Sequence, residues 1–330
     1  MSIKNIAVIG IGELGSRHLQ SLYRASFDLN LFAVDPSEDA LILGRNRVSE
    51  LEHNHKLNKL NFVKTIQDLP NYLDLVVIAT NSDVRIDVIR LLLEEKEVKY
   101  LILEKVLFQK IRDYQLCSKL LKSAQTEAWV NCPRRIWKDY FAIKDFLSKK
   151  SKINYVLTGG IWGLGCNAIH FLDHFSWLTG SSLLKIDSSQ LDKQILRSKR
   201  EGFIEFTGKL EATYQNGNNL SLASIRSEKD LGIFIRIEGE DFSISIDEGK
   251  RVYTLELENQ KKGSRKTTHQ MYIPFQSELT SALAESLFKK EEIGLTPFEE
   301  SSEIHKLLIN SLIPHIESVN DEKVDICAIT

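Results

Sequence analysis

Between residues 4 and 35 the chain commits itself to one local architecture. Lys4-Asn5-Ile6-Ala7-Val8-Ile9 is a short, largely apolar run that reads as a buried strand. It runs directly into Gly10-Ile11-Gly12-Glu13-Leu14-Gly15, and Ser16 to Ser26 continues with helical character. A second apolar run, Leu29 to Val34, closes on Asp35, twenty residues past Gly15. The order is strand, G-x-G-x-x-G, helix, strand, acid. Gly10 permits a tight turn, Gly12 holds no side chain against a pyrophosphate, and Gly15 lets the helix pack close to the strand. The helix start offers free N–H groups and the positive end of a dipole to phosphate. Asp35 can accept hydrogen bonds from a ribose diol. The spacing therefore predicts a dinucleotide site.

Strand and helix signals go on alternating to about residue 130. A polar helical stretch covers Glu38 to Lys56, and a short strand follows at Asn61-Phe62-Val63. Leu73 to Ala79 reads as a fully apolar strand, Asp83 to Leu93 as a helix, and Tyr100 to Leu103 as a strand ending in Glu104-Lys105. Asp113 to Ala124 and Ala128 to Val130 complete the series. Such alternation predicts a parallel sheet covered by helices on both faces, with ligands at the carboxyl ends of its strands. Gly10, Asp35, Thr80 and Glu104-Lys105 all fall at such ends and are expected to converge on one cleft.

The pattern then changes. Arg135 to Leu147 and Ala168 to Leu178 read as helices, with a strand at Ile153 to Leu157 between them. From Leu183 to Phe275 short alternating runs such as Phe203-Ile204-Glu205-Phe206 and Ile233 to Ile237 predict a largely antiparallel sheet. Helices near Ser277–Lys289 and Pro297–Ile316 end the fold. The fold class is α/β, with domains at 1–130 and 131–330.

Composition bounds the function. Net charge is −2, which gives no reason to expect nucleic acid or an anionic membrane as a partner. The basic cluster Lys261-Lys262-Gly263-Ser264-Arg265-Lys266 reads as a solvated loop between strands. Cys117, Cys132, Cys166 and Cys327 are scattered, as in a reducing cytoplasm, with neither a disulfide framework nor a zinc knuckle. No apolar run approaches the roughly 20 residues of a membrane span, and no signal peptide is expected. His170, Asp173 and His174 have metal-ligand spacing on one helix face, but no third ligand is apparent, and no metal is expected.

Four segments carry a further likeness: Gly10–His18 (GIGELGSRH), Val77–Asn81 (VIATN), Leu103–Lys105 (LEK) and Gly163–Asp173 (GLGCNAIHFLD). In order and separation they resemble the Gfo/Idh/MocA family of NAD(P)-dependent oxidoreductases over nearly the whole chain. The resemblance implies an N-terminal Rossmann domain and a C-terminal α/β domain with a large, mostly antiparallel open sheet. It implies that Lys105 and His170 lie beside the nicotinamide, with Asp173 one helical turn on. By itself Lys105 also reads as a surface lysine at a strand end, and His170 as a satisfied core histidine. The physical case for function is that an ammonium can stabilise a developing alkoxide and an imidazole can exchange a carbinol proton near neutral pH. Two positions depart from the family pattern. Val106 replaces a proline after Glu-Lys, and Cys166 replaces an aspartate four residues before the histidine.

The expected site follows. Gly10, Gly12, Glu13, Leu14, Gly15, Asp35, Thr80, Asn81 and Glu104 bind the cofactor; Lys105 and His170 are catalytic. Asn167, Asp173, Trp162 and Arg135 bind substrate, although Trp162 also reads as core and Arg135 as a partner for carboxylates. Trp137 and Tyr140 read as packing. NAD is preferred to NADP because Asp35 would repel a 2′-phosphate. The expected activity is hydride transfer at a carbinol or ketone carbon of a sugar or sugar derivative, in surface-glycan synthesis. The expected partners are that small molecule and further copies of the chain, as a homodimer or homotetramer built on the C-terminal sheet. The rival readings are a catalytically silent NAD(H)-binding sensor or scaffold, and a reductase of a cyclic imine or enone.

Overall fold

The computed structural model describes residues 2–227, 231–259 and 263–330. The chain divides into two compact units. The first gathers Met1–Phe108, Arg112–Asn131 and Pro274–Ser302; the second gathers Gln109–Ile111, Cys132–Ile273 and Glu303–Thr330.

The first unit begins with β1 (Lys4–Ile9), α1 (Gly15–Tyr23), β2 (Leu29–Val34), α2 (Glu38–Ser49) and β3 (Leu57–Val63). It continues with β4 (Tyr72–Ile78), α3 (Arg85–Glu95), β5 (Glu97–Leu103), α4 (Ile111–Ala124) and β6 (Glu127–Val130). The strands pair in parallel in the order β6-β5-β4-β1-β2-β3. Ile6 to Val8, Leu75 to Ile78 and Leu101 to Leu103 are fully buried. That continuous burial is why these strands read as unbroken apolar runs rather than alternating ones. The strand order reverses at β1, between β2 on one side and β4 on the other. This is the place where a parallel sheet opens a crevice at its carboxyl edge.

The second unit contains α5 (Lys138–Leu147), β7 (Asn154–Gly159), α6 (Leu164–Thr179), β8 (Leu183–Leu191), β9 (Leu196–Arg197) and β10 (Ile204–Glu205). β11 (Gly208–Tyr214), β12 (Asn219–Ser224), β13 (Phe234–Gly239), β14 (Phe242–Asp247), β15 (Val252–Asn259) and β16 (Gly263–Gln270) follow. Eight of these strands form a sheet in the order β16-β15-β14-β13-β7-β12-β11-β8. Its pairs are antiparallel except β7 with β12. Alternation sets its two faces. Tyr155, Leu157, Ile235 and Ile237 point inward, where the Tyr214 hydroxyl donates to the Leu172 carbonyl of α6 at 3.0 Å. Val156 and Phe234 point outward and are exposed.

After the second sheet the chain contributes α7 (Gln276–Lys289) and β17 (Thr296–Pro297) to the first unit. α7 packs along α1, where the Ser281 amide donates to Ser21 Oγ at 2.9 Å. β17 adds a short antiparallel edge to β6. α8 (Phe298–Asn320) is the last helix.

Several sequence-derived bounds change. The helix expected over Glu38–Lys56 stops at Ser49. The strand expected at Asn61–Val63 begins at Leu57, as an edge strand with exposed Asn58 and Lys59. The helix expected from Arg135 is a 3-10 turn, Pro133–Ile136, followed by α5. Of the basic cluster expected as a loop, Lys261 and Lys262 lie outside the described residues, and Gly263 to Lys266 belong to β16. A strand forms there because every position pairs with β15, from Asn259↔Gly263 to Val252↔Gln270.

Candidate functional site

In the first unit the carboxyl ends of β1, β2 and β4 enclose a cleft of about 630 Å³. Gly10, Gly12, Asp35, Thr80 and Asn81 line it together with Lys64, Ile66, Val84, Val88 and Leu91. Gly10 has φ +88°, and a Cβ there would lie 2.8 Å from the Thr80 amide nitrogen. A Cβ on Gly15 would lie 1.7 Å from the Gly10 carbonyl oxygen. These two positions require glycine; Gly12, by contrast, has open space where its Cβ would be. That is a cradle shaped for a group as bulky as a pyrophosphate. α1 starts without a side-chain cap and without an acid in its first turn, which leaves its positive end to phosphate. Asp35 is held in place: Oδ2 accepts the Ile11 amide at 2.7 Å and Oδ1 the Ser37 amide at 2.9 Å. Glu13 is tied outward by Arg47, which also donates to the Glu13 carbonyl at 2.6 Å. The residues present therefore fit a dinucleotide.

Glu104 does not line this cleft. It is 3% exposed, and its Oε1 accepts from Asn131 Nδ2 at 2.5 Å and meets His18 Nε2 at 3.0 Å. His18 Nδ1 lies 2.8 Å from Thr280 Oγ1, and Gln276 joins both Asn131 and Thr280. One buried network thus links the ends of β5 and β6 to α1 and α7. Burial works to raise the Glu104 carboxyl. The hydrogen bond and charge of His18, with the Asn131 amide and the Lys105 charge, outweigh it and hold the group below its ordinary value. Lys105 follows, half-buried, and the Lys105–Val106 peptide is cis. Sequence reasoning passed over Arg85, on α3. It is 1% exposed and donates to the carbonyls of Thr80, Val106 and Leu107.

In the second unit α6 carries Cys166, Asn167 and His170 on one half-exposed face. Asp173 and His174, one turn on, are fully buried. Arg135 meets Asp173 in a bidentate pair, Nε to Oδ2 at 2.8 Å and Nη2 to Oδ1 at 2.9 Å. Two residues expected to hold substrate therefore hold each other. Asn167 donates to the Trp162 carbonyl at 2.9 Å. The Trp162 indole donates to the Ala223 carbonyl at 3.0 Å, and its ring meets Phe171 edge-on. Glu205, read in the sequence as one polar position of an alternating strand, is buried. Its carboxylate accepts the Gly165 and Cys166 amides at 2.7 and 3.1 Å, closing the start of α6. Below the helix, Arg134 pairs with Glu248 through two bonds of 2.9 and 2.7 Å, and the Tyr140 hydroxyl donates to Glu248 at 2.7 Å. Among the described residues no cluster of three or more His, Cys, Asp or Glu could hold a metal, and no helix is long and apolar enough to cross a membrane.

Residues 4–132 match the family described as "Oxidoreductase family, NAD-binding Rossmann fold", GFO_IDH_MocA. No curated protein matches the sequence significantly. Solved structures extend the likeness in fold over both units. UDP-N-acetylglucosamine 3-dehydrogenase GnnA from Acidithiobacillus ferrooxidans aligns with TM-score 0.70 at 13% identity, covering 94% of this chain and 96% of its own. An oxidoreductase from Agrobacterium radiobacter, in complex with NAD+, L-tartaric acid and magnesium, aligns with TM-score 0.71 at 14% identity, covering 96% and 97%. A super-repressor mutant of Gal80p from Saccharomyces cerevisiae aligns with TM-score 0.73 at 15% identity, covering 96% and 97%. Residues 4–132 are thus similar to the NAD-binding Rossmann domain of that family, and the likeness of the second unit to known structures is one of fold.

The buried charges of the second unit predict how stability responds to pH. Burial, followed by the charges of Arg134 and Arg135, pushes His174 well below its ordinary value of 6.5. In the unfolded chain His174 takes a proton below about pH 6.5, whereas in the folded chain it stays neutral. Folding stability is therefore full above that pH and falls as pH drops below it, by up to about 1.4 kcal/mol per unit for this one proton. Urea unfolding at intervals from pH 7.5 to pH 5 should show this slope, and His174→Leu should flatten it. An unchanged slope in the variant would refute the assignment.

Proposed function

We propose that the chain is an oxidoreductase of the Gfo/Idh/MocA type and transfers a hydride between NAD and a carbinol or ketone carbon of a sugar or sugar derivative. The observation that carries the reading is the cleft at β1, β2 and β4, with its open position at Gly12 and its fixed Asp35 carboxylate. The nicotinamide supplies the two-electron acceptor or donor. The chain supplies position and charge. In the oxidising direction His170 takes the hydroxyl proton while the Lys105 ammonium stays on the oxygen as its negative charge develops. The sugar-derivative class, and a place in surface-glycan synthesis, draw support from the dehydrogenase of a nucleotide sugar among the structures of like fold. A cytoplasmic setting is part of the proposal; four free cysteines suit a reducing compartment.

Cofactor choice is tested first. Asp35 offers the adenosine ribose two fixed acceptor oxygens and a charge that opposes a 2′-phosphate. Fluorescence titration should show NADH binding more tightly than NADPH, with Asp35→Ala narrowing the gap. Equal affinity in the unaltered protein would sink the NAD preference.

The catalytic roles are tested by substitution, with candidate sugars and nucleotide sugars screened for NADH formation. Lys105→Met and His170→Ala should each leave NADH affinity within a few-fold while lowering turnover by about 10²–10⁴-fold. Intact NADH binding with no turnover on any substrate would instead favour a catalytically silent NAD(H)-binding sensor. Turnover confined to cyclic imines or enones would favour the reductase.

Assembly is the last part of the proposal. The outer face of the eight-stranded sheet exposes Val156 at 36%, Phe234 at 45% and Leu184 at 53%, which favours cover by a second copy. Light scattering at micromolar concentration should give the mass of a homodimer or homotetramer. Phe234→Glu should lower that mass while leaving the far-ultraviolet spectrum unchanged, and a monomeric mass in the unaltered protein would refute the assembly.

A further inference from the structure

We infer that Arg85 is a positioning residue for the nicotinamide half of the cofactor, tying the turn after β4 to the turn after β5. The inference rests on the dinucleotide reading of the cleft and deepens it. Its starting point is a cost. Arg85 opens α3, at the positive end of that helix, where a cation is disfavoured. It is also 1% exposed, so its guanidinium has been taken out of water. An apolar side chain would fill the position more cheaply if shape were all that mattered. What the guanidinium does that no apolar group can is bridge backbone carbonyls. One terminal nitrogen donates to Val106 and, at 3.0 Å, to Leu107; the other donates to Thr80.

Those carbonyls belong to the two turns on one side of the crevice. β4 pairs with β5 in parallel, with Ile78 beside Leu103. Thr80 lies two residues past the end of β4, and Val106 three past the end of β5, directly after Lys105. Asp35 stands on the opposite side of β1, at the end of β2. With the adenosine ribose at Asp35 and the pyrophosphate over Gly10 and Gly12, the remaining half of a dinucleotide must lie over β4 and β5. Arg85 therefore organises the part of the cleft that meets the nicotinamide riboside, through carbonyls on the β4 and β5 side of β1 rather than the Asp35 side. Planarity matters here. A lysine would keep the charge but offers one nitrogen where Arg85 uses two on a rigid fork.

The test separates the two halves of the cofactor by comparing NADH with ADP-ribose, which lacks the nicotinamide. Affinities are measured by calorimetry for the unaltered protein, Arg85→Lys and Arg85→Met, with thermal melts to establish that each variant is folded. We expect both variants to lose about tenfold or more in NADH affinity, the scale of a lost charge-assisted hydrogen bond, with ADP-ribose affinity held within about twofold. Equal loss of both ligands marks a general structural role and overturns the inference, as does no loss of either. If the unaltered protein binds neither ligand, the dinucleotide reading itself fails. Hydrogen exchange on the unaltered protein gives a second measurement that needs no variant. NADH should slow exchange at the amides of residues 105–108 and ADP-ribose should not; equal protection by both would overturn the inference.

Discussion

The approach of α1 to the end of β1 is the constraint on which the first unit depends. A single methyl group at Gly15 would sit 1.7 Å from the Gly10 carbonyl oxygen, well inside any allowed contact. Because no methyl is there, the helix start is drawn against the turn, and the positive end of its dipole faces the carboxyl edge of the sheet. The same turn lets Ile11 donate to Asp35, which orients the acid at the end of β2. Crevice, helix dipole and acid are therefore consequences of one close packing.

The buried network around Glu104 answers a different question, namely how the neighbouring lysine is held. Glu104 follows β5 and Asn131 follows β6, so the hydrogen bond between them joins two strand ends. His18 brings in α1, and Gln276 with Thr280 brings in α7. A carboxylate buried this deeply is tolerated because the His18 ring and the Asn131 amide meet it. Lys105 thus leaves a strand end that three other elements, β6, α1 and α7, hold in place. In the sequence Glu104 stood beside Lys105 and was grouped with the cofactor residues. Its nearest partners are 27 and 86 residues away along the chain, and no periodicity reports separations of that kind.

The same distinction decides what the sequence could say elsewhere. β1 and β2 fall on the expected bounds because burial on both faces leaves each with four apolar residues in a row, Ile6 to Ile9 and Leu31 to Val34. α2 was overextended because the polar stretch after Ser49 contains no Gly or Pro to stop it. β3 was cut short because its first half is exposed at an edge, where the apolar signal is weak. The parallel pairing of β7 with β12 has no local signature, since an alternating strand looks the same in either direction. The return of α7 to α1 rests on contacts more than 250 residues apart. Arg85 and Glu205 were missed for a shared reason. Each is a charged residue in a position that pattern reading assigns to solvent, and each is buried by partners that only the fold brings near.

Commitments already made inside the second unit narrow what α6 can offer a substrate. Asp173 and Arg135 neutralise each other through two bonds, and breaking either member would strand a buried charge at a cost of about 3–5 kcal/mol. Glu205 is spent on the start of the helix, and Glu248 on Arg134 and Tyr140. Of the groups that α6 presents on its half-exposed face, Cys166 and Asn167 are uncharged. Asn167 gives one N–H to the Trp162 carbonyl. The position where the family pattern has an aspartate is thus a thiol, and the nearby carboxylate, Glu205, is turned to backbone amides instead. A face of this composition suits neutral hydroxyls better than anions or cations. Recognition there would come from His170, the Asn167 amide and the shape of the loop Gly159-Gly160-Ile161-Trp162-Gly163 before the helix. On this reading any charge a substrate carries is met by residues other than those of α6.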